Sequence, residues 1–343
     1  MQQRTLGKTG IRVSTLCLGA MMFGTWGNKD HDDSIRIIHA ALDGGINFID
    51  TADVYSAGES EEIVGKALVG RRDNVVLATK FHGAMGTDAN QKGNSRRWII
   101  AECENSLRRL GTDHIDLYQV HRPDPATDIE ETLSALSDLM HEGKVRAIGC
   151  STFPAHEIVE SHWAAERRGT ERFRSEQPPY SIFVRGIEAD VLPVAEQYGM
   201  GVLPWSPLNG GWLTGRYRRG QTADTHRAAM MPGRFAEDVP ENSKKLDLVE
   251  QLDKVAEQAD LTMVHLALGF VLAHPAVTSA IIGPRTMEQL ETQLAAGDVV
   301  LTKEALDAID ALVPPGTNVN PGDAGYVGPA ITQAWRRRRP ARS

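Results

Sequence analysis

Ionisable residues follow several apolar segments of the chain. The segment "INFI" leads directly into "DTADVY", which contains Asp50 and Tyr55; Lys80 lies near the end of "NVVLATKF", and His121 closes "IDLYQVH". Each of these residues alone has an ordinary structural explanation, such as capping a turn or packing at a rim. Together, a carboxylate, a phenol, an ammonium and an imidazole at the ends of three successive apolar segments indicate a catalytic site.

These four groups suit proton transfer to or from a carbonyl oxygen. A phenol with an ordinary pKa of about 10 is a poor acid or base at neutral pH. We expect Lys80 to lower the pKa of Tyr55 and Asp50 to hold Lys80 in place, while a neutral His121 orients the substrate. The sequence offers no metal ligands for hydride chemistry, so the hydride must come from an organic cofactor.

Apolar segments alternate with amphipathic helical patterns along the chain. Most of the apolar segments are apolar throughout, as expected for strands that are covered on both faces. We predict eight strands, at residues 13–21, 46–52, 74–81, 115–121, 145–151, 174–180, 201–207 and 277–284. Such alternation implies a parallel sheet, and eight units favour a closed (β/α)8 TIM barrel, whose catalytic groups lie at the carboxyl ends of the strands. No GxGxxG motif follows a predicted strand, which argues against a Rossmann site.

Three segments depart from a minimal barrel. The opening "RTLGKTGIRV" predicts an N-terminal β-hairpin with Gly7 and Gly10 around its turn. The long loop at 208–242, after the seventh predicted strand, is typical of a functional lid.

The third such segment lies at the C-terminal end of the chain. After a helix near "TKEALDAIDALV", the proline- and glycine-rich sequence predicts an irregular C-terminal segment. We therefore expect a single domain over residues 1–343, with a barrel core at about 4–312 and a tail at 313–343.

Composition and charge indicate which classes of molecule the protein is expected to bind. The chain is 41% hydrophobic and 24% charged, which is typical of a soluble globular protein, and its net charge of −8 argues against a nucleic-acid partner. The basic end "WRRRRPARS" is expected to be a solvated terminus. Three widely spaced cysteines, Cys17, Cys103 and Cys150, fit a reducing compartment and no zinc site. Without a signal peptide or a membrane-length apolar run, we expect a cytoplasmic protein with no membrane partner.

Further segments of the sequence resemble those of one protein family and occur in the same order as in that family. "DTADVY" is accompanied by "SEEIVGKAL", "LATKF", "SLRRLGTDHIDLYQVHRPD", "VRAIGCS", "WSPLNGGWLTGRY" and "IIGPRTMEQLETQL". From about Arg4 to Leu312, the chain resembles the aldo-keto reductase superfamily, in particular its bacterial and potassium-channel-β-like branches. The resemblance implies a (β/α)8 barrel that binds NADP(H) across its C-terminal mouth, with Tyr55 as general acid/base.

The resemblance also implies a set of cofactor contacts. Ser151 and Gln177 would hold the nicotinamide carboxamide, Trp205 would stack on its ring, and Arg285 would favour NADP over NAD by pairing with the 2′-phosphate. The full set of implied cofactor-binding residues is Ser151, Gln177, Trp205, Ser206, Pro207, Leu208, Asn209, Gly210, Leu213, Arg216, Gly283, Arg285, Gln289 and Gln293.

Aromatic residues near the strand ends are candidates for the substrate pocket. They would suit a hydrophobic or aromatic small-molecule carbonyl substrate. Phe23, Trp26, Tyr55 and His121 are the principal candidates, and further candidates are Phe81, His82, Trp98 and the stretch Met230–Phe235.

The favoured function is NADPH-dependent reduction of aldehydes or ketones to alcohols. Two alternatives stay open at this point: a sugar or polyketide ketoreductase of a biosynthetic pathway, and an NADP(H)-binding regulatory or redox-sensing subunit with slow turnover. The same four residues serve all three, so they do not discriminate among them.

Overall fold

The computed structural model of the protein describes residues 1–220 and 225–339. Residues 221–224 of the predicted long loop and 340–343 of the predicted tail lie outside the described residues. The strands are β1 (Gln3–Thr5), β2 (Arg12–Ser14), β3 (Leu16–Gly19), β4 (Phe48–Asp50), β5 (Val76–Phe81), β6 (Ile115–Val120), β7 (Val145–Ser151), β8 (Ser175–Gln177), β9 (Gly201–Val202) and β10 (Ala280–Ile282).

Eight of these strands form one parallel sheet that closes on itself. Its order is β10-β3-β4-β5-β6-β7-β8-β9. Between β9 and β10, Val202 pairs with Val277 in a single parallel bridge, and the Ile281 N–H donates to the Pro204 carbonyl at 2.8 Å. The predicted (β/α)8 barrel is confirmed.

Helices surround the sheet and cover its outer face. In the described ranges the α-helices are α1 (His31–Asp43), α2 (Glu59–Ala67), α3 (Arg96–Leu110), α4 (Ile129–His141), α5 (Ala155–Arg168), α6 (Val191–Tyr198), α7 (His226–Met230), α8 (Pro240–Gln258), α9 (Met263–Ala273), α10 (Met287–Leu294), α11 (Lys303–Leu312) and α12 (Pro329–Thr332). Side chains of Asp30, Ser95 and Asp128 accept backbone N–H bonds at the starts of α1, α3 and α4, as N-caps do. Within the described part of the chain no single helix is long and apolar enough to cross a membrane; α8 and α9 meet the criteria only as a pair bent by 87°.

The N-terminal hairpin closes one end of the barrel. β1 pairs antiparallel with β2, as predicted, and Leu6 and Val13 join a small apolar cluster inside the barrel. Gly7 has φ +52, and a Cβ there would lie 2.6 Å from the Gly199 carbonyl oxygen, so the turn requires glycine. With its amino end plugged, the barrel is open to ligands at the carboxyl ends of its strands.

Seven of the eight predicted strands are shorter in the structure, and only the strand at 145–151 keeps its predicted bounds. The predicted strand at 13–21 is divided at Thr15 into β2, which belongs to the hairpin, and β3. The predicted strand at 201–207 has only the two residues of β9. Pro204 and Pro207 lack the N–H that a strand inside a closed sheet must donate, so regular pairing ends before them.

The loop after β9 is held by a buried ion cluster, which consists of Asn209, Arg234, Lys245 and Asp323. Lys245, fully buried on α8, donates to Asn209 Oδ1 at 2.9 Å and to Asp323 Oδ2. Arg234 donates to the other Asp323 oxygen at 3.0 Å. Asp323 lies in the C-terminal segment, in a 3-10 helix at Pro321–Ala324, so this segment is fixed against the loop and α8.

Candidate active site

A cavity of about 830 Å³ opens at the carboxyl ends of the strands. Its wall is formed by residues at or after the ends of seven strands, among them Met21, Tyr55, His121, Ser151, Gln177, Trp205 and Gly283. Three of the four predicted catalytic residues, Asp50, Tyr55 and His121, face it directly. Lys80 is fully buried behind them.

Lys80 links the carboxylate to the phenol. Its Nζ donates to Asp50 Oδ1 at 2.5 Å and to the Thr51 carbonyl at 2.8 Å, and it lies 3.4 Å from the Tyr55 hydroxyl. Asp50 ends β4 and Lys80 lies in the neighbouring β5, so the parallel pairing of the two strands brings their side chains together. The predicted arrangement of these three residues is present.

Two glutamines hold the second oxygen of Asp50. Gln119 Nε2 donates to Asp50 Oδ2 at 3.1 Å and Gln177 Nε2 donates to it at 2.9 Å. Sequence analysis placed Gln177 against a cofactor amide and did not identify Gln119. The signal for Gln119 was its position two residues before His121, since alternate residues of a strand share a face.

Lys80 lowers the pKa of Tyr55, as expected, but burial of the phenol has the larger effect. Burial raises the pKa of the phenol, Lys80 lowers it only in part, and the net shift is upward. Burial alone would lower the pKa of Lys80, but the charge of Asp50, followed by Tyr55, raises it above its usual value. At neutral pH the site therefore holds a protonated phenol beside an ammonium, which is the form of a general acid.

His121 is a neutral imidazole beside the phenol. Burial lowers its pKa well below the usual value, and the positive charges of Lys80 and Arg122 lower it further. Its ring centre lies 5.7 Å from that of Tyr55, edge to face at 81°. A neutral ring beside a phenol hydroxyl can hydrogen-bond one oxygen of a ligand without adding charge.

Most predicted cofactor residues line the same cavity. These are Ser151, Gln177, Trp205, Ser206, Pro207, Leu208, Gly210, Arg216, Gly283, Arg285, Gln289 and Gln293. Two do not: Asn209 is engaged in the buried ion cluster, and Leu213 is buried in the main core.

The wall between β9 and α10 fits an anionic, phosphate-bearing cofactor. Ser206, Gly210 and Gly211 have φ values of 58, 69 and 113°, and left-handed residues close together in one loop are typical of anion-binding turns. Arg216 and Arg285 face the cavity, and neither has a carboxylate within 4 Å among the described residues. Arg285 also immediately precedes the capping Thr286 of α10, and helix N-termini favour anions.

Several predicted pocket aromatics lie elsewhere. Trp26 reaches the cavity and lies 6.0 Å from the Tyr55 ring, but Phe23 is fully buried in the main core, because the chain turns inward between Ala20 and Phe23. Met21 and Met22 line the wall in its place.

Most of the remaining candidates for the substrate pocket also lie outside the cavity. Phe81 and Trp98 are buried, and the ring of His82 bonds Asn94. In the predicted lid at 230–235, Phe235 stacks on Tyr217 at 4.8 Å and only Arg234 faces the cavity.

Sequence analysis missed several basic residues of the cavity wall. Arg122, Arg227 and His226 all contribute to it. The signal for Arg122 was its place in "HRPD", directly after a predicted catalytic residue. Among the described residues no group of His, Cys, Asp and Glu side chains could hold a metal ion.

Glu176, the residue of β8 that precedes Gln177, gives a pH-dependence prediction. Burial raises its pKa to about 7, its Oε1 accepts from the Phe153 N–H at 3.2 Å, and its Oε2 has no described partner. A carboxyl with a raised folded-state pKa stabilises most below its unfolded pKa of about 4.3, and this stability is lost as pH rises to about 7. We expect Glu176→Gln, which keeps the Phe153 bond, to remove about 3 kcal/mol of that pH dependence, since each pKa unit is worth about 1.4 kcal/mol.

Urea unfolding at pH 5 and pH 8 measures this difference. The matched control is Glu166→Gln, an exposed glutamate on α5. An equal pH dependence in wild type and Glu176→Gln would contradict the prediction.

Comparison with known proteins agrees with this geometry. The sequence model described as "Aldo/keto reductase family" matches residues 15–314. The chain is 38% identical over 333 residues to the uncharacterized oxidoreductase YrpG of Bacillus subtilis, covering 92% of this chain and 96% of that protein. It is 40% identical over 298 residues to the aldo-keto reductase YhdN of the same organism, covering 85% and 87%.

A third relative is named as a channel subunit rather than as an enzyme. The chain is 36% identical over 321 residues to a probable voltage-gated potassium channel subunit beta of Arabidopsis thaliana, covering 91% of this chain and 97% of that protein. The family match extends over nearly the whole chain, and the barrel and its cavity agree with it. This chain therefore belongs to the aldo/keto reductase family of oxidoreductases.

Proposed function

We propose that the protein reduces aldehydes or ketones to alcohols with NADPH, and that Tyr55 is the general acid. The observation that carries the proposal is the Tyr55 phenol facing a large cavity, with Lys80 Nζ 3.4 Å from its oxygen. The anion-binding wall between β9 and α10 supports a phosphate-bearing cofactor in the same cavity.

Each residue has a separate part in the reaction. NADPH, when bound, supplies the hydride that reaches the carbonyl carbon. Tyr55 gives its hydroxyl proton to the carbonyl oxygen as negative charge develops there, so the product is a neutral alcohol. The Lys80 ammonium stabilises the resulting phenolate, Asp50 holds Lys80, and His121 hydrogen-bonds the substrate oxygen. Solvent then returns the proton to Tyr55.

A screen of NADPH oxidation tests the proposal. The purified protein is mixed with NADPH and, in separate reactions, aromatic aldehydes, short aldehydes, ketosugars, polyketide-like ketones and quinones. We expect carbonyl-dependent loss of absorbance at 340 nm with at least one class and formation of the matching alcohol. Loss of NADPH without alcohol, or none with any class, would refute the proposed activity.

Arg285 is expected to select NADPH over NADH. Its guanidinium faces the anion-binding wall before α10, where a 2′-phosphate would bind. Because hydrogen bonds to charged groups contribute about 1.5–3 kcal/mol, Arg285→Gln should weaken NADPH binding by roughly 10- to 100-fold. NADH binding should change little. Quenching of protein fluorescence measures both affinities, and an equal loss for the two cofactors would contradict a role in 2′-phosphate recognition.

A second candidate is a regulatory subunit with slow turnover. The similarity to the plant channel subunit favours it. Rapid mixing separates the two candidates: a subunit that retains NADPH through purification and shows one slow turnover, with no steady state, supports this second function. Sustained turnover supports the reductase.

A further inference from the structure

Arg122 places an additional positive charge at the catalytic end of the cavity. It directly follows His121 after β6 and lines the cavity with Tyr55. Its Nη1 donates to the His121 carbonyl at 2.9 Å and to Thr152 Oγ1 at 3.2 Å. Both bonds use one nitrogen, so the guanidinium is anchored while its Nε and Nη2 donate to no protein group among the described residues.

The charge of Arg122 is not neutralised by the protein. In the described part of the chain no carboxylate oxygen lies within 4 Å of it, although most buried arginines are paired. The groups that act on it electrostatically are Tyr55, a neutral phenol, and Glu176, whose pKa of about 7 leaves it only half ionised at neutral pH. A half-buried cation without a counter-ion favours an anionic ligand.

Cofactor phosphates do not account for this cation. The residues suited to phosphates lie between β9 and α10, whereas Arg122 follows β6. Its guanidinium carbon lies 6.0 Å from the ring centre of Trp205, at the end of the cavity where Tyr55 and His121 lie. An anion that pairs with Arg122 must therefore bind close to the reacting carbonyl group.

The remaining wall at this end is apolar. Trp26 and Trp205 supply aromatic surfaces, and Met21 and Met22 supply thioethers. Trp26 keeps 39% of its surface exposed, which is high for a tryptophan and leaves a ring face available for contact. Apolar and aromatic surfaces beside one guanidinium suit a ligand with an apolar body and a single negative group.

We infer that Arg122 is a specificity-determining residue that binds a carboxylate of the substrate, and that the preferred substrates are aromatic or apolar aldehydes and ketones bearing such a carboxylate. The inference rests on the proposed carbonyl reduction at Tyr55. The carbonyl oxygen contacts Tyr55 and His121, the apolar body lies against Trp26 and Trp205, and the carboxylate pairs with the free edge of the guanidinium.

Matched acids and esters test the inference. The probes are 3- and 4-formylbenzoate and their methyl esters, which have the same ring and aldehyde but no charge at pH 7. For the wild-type protein we expect kcat/KM for at least one acid to exceed that of its ester by roughly tenfold or more, as a charge-assisted bond provides. Equal values, or a preference for both esters, would overturn the inference.

Two variants at position 122 test whether Arg122 causes the preference for the acid over the ester. In Arg122→Gln the acid-to-ester ratio should fall by roughly 10- to 100-fold, and Arg122→Lys should keep part of it, because an ammonium retains the charge but not the fork geometry. Arg97→Gln, an exposed arginine on α3, is the matched control for loss of one charge. An unchanged ratio in Arg122→Gln, or an equal fall for acid and ester, would overturn the inference.

The design separates this inference from the proposed function. If neither acid nor ester oxidises NADPH, and no other carbonyl compound does, the proposed reduction fails and the inference fails with it. If the esters are reduced as well as the acids, the reduction stands and only the role of Arg122 is refuted. The wild-type ratio needs no variant, so it decides the matter even if Arg122→Gln does not fold.

Discussion

Replacing Tyr55 with phenylalanine should lower kcat by about 100- to 10,000-fold, the range that one positioned general acid contributes. The phenol is the only group whose proton faces the cavity within reach of Lys80, at 3.4 Å, in the described structure. Phenylalanine keeps the ring and its contacts with Trp26 and His121, so NADPH affinity should stay nearly constant. Steady-state kinetics and fluorescence titration together measure the two quantities.

Tyr198→Phe is the matched control for the loss of one hydroxyl. Tyr198 ends α6, where its ring stacks on His162 at 4.2 Å, and it does not line the cavity. It should retain wild-type kcat. If Tyr55→Phe kept full turnover while still binding NADPH, another group would have to deliver the proton, and the assignment of Tyr55 would be wrong.

Replacing Arg109 with methionine should destabilise the protein by about 3–5 kcal/mol, the cost of breaking a buried ion pair by removing one partner. Arg109 Nε donates to Glu61 at 2.6 Å, and its Nη2 donates to Glu102; both glutamates are fully buried. A third carboxyl, that of Asp53, is buried near this pair of glutamates. Burial raises the pKa of Asp53, the charges of Glu61 and Glu102 raise it further, and Arg109 lowers it in part.

Urea unfolding measures this loss, with Arg108→Met as the matched control. Arg108 is the preceding residue of α3 but is exposed, so its replacement should change the free energy of unfolding by less than about 0.5 kcal/mol. The difference between the variants should grow from pH 5 to pH 8, because unpaired buried carboxyls take up protons more easily at low pH. Equal stability of the two variants at pH 8 would contradict the assigned role.

The barrel was predictable because its pattern is repeated. Eight apolar segments alternate with helices, and each must be covered on both faces, so few other architectures fit. The clustering of the four candidate catalytic residues was predictable for a related reason, since their positions at the strand ends place them at one rim. Their bonds to one another follow from the parallel register of β4 and β5.

The environment of these residues was not predictable from the sequence. The pKa of Tyr55 depends on the balance between burial and the charge of Lys80, and only the folded structure sets that balance. Phe23 and Trp26 are both aromatic and only three residues apart, yet one is in the core and the other in the cavity. Two successive turns, one from Ala20 to Phe23 and one from Gly24 to Gly27, decide which ring faces outward. Although Gly24 signals a turn, residue type does not say to which side each ring is directed.

The buried ion cluster has a consequence for engineering the chain. Asp323 is the sole carboxylate partner of Lys245 in the described structure, and it also binds Arg234 of the loop that borders the cavity. A shortened variant that stops at the end of α11 would remove this shared anion and leave two cations facing each other, one of them fully buried. The segment that follows α11 therefore helps to hold the loop that borders the cavity. A truncated chain should end after residue 325, and a fusion partner should be joined after that residue.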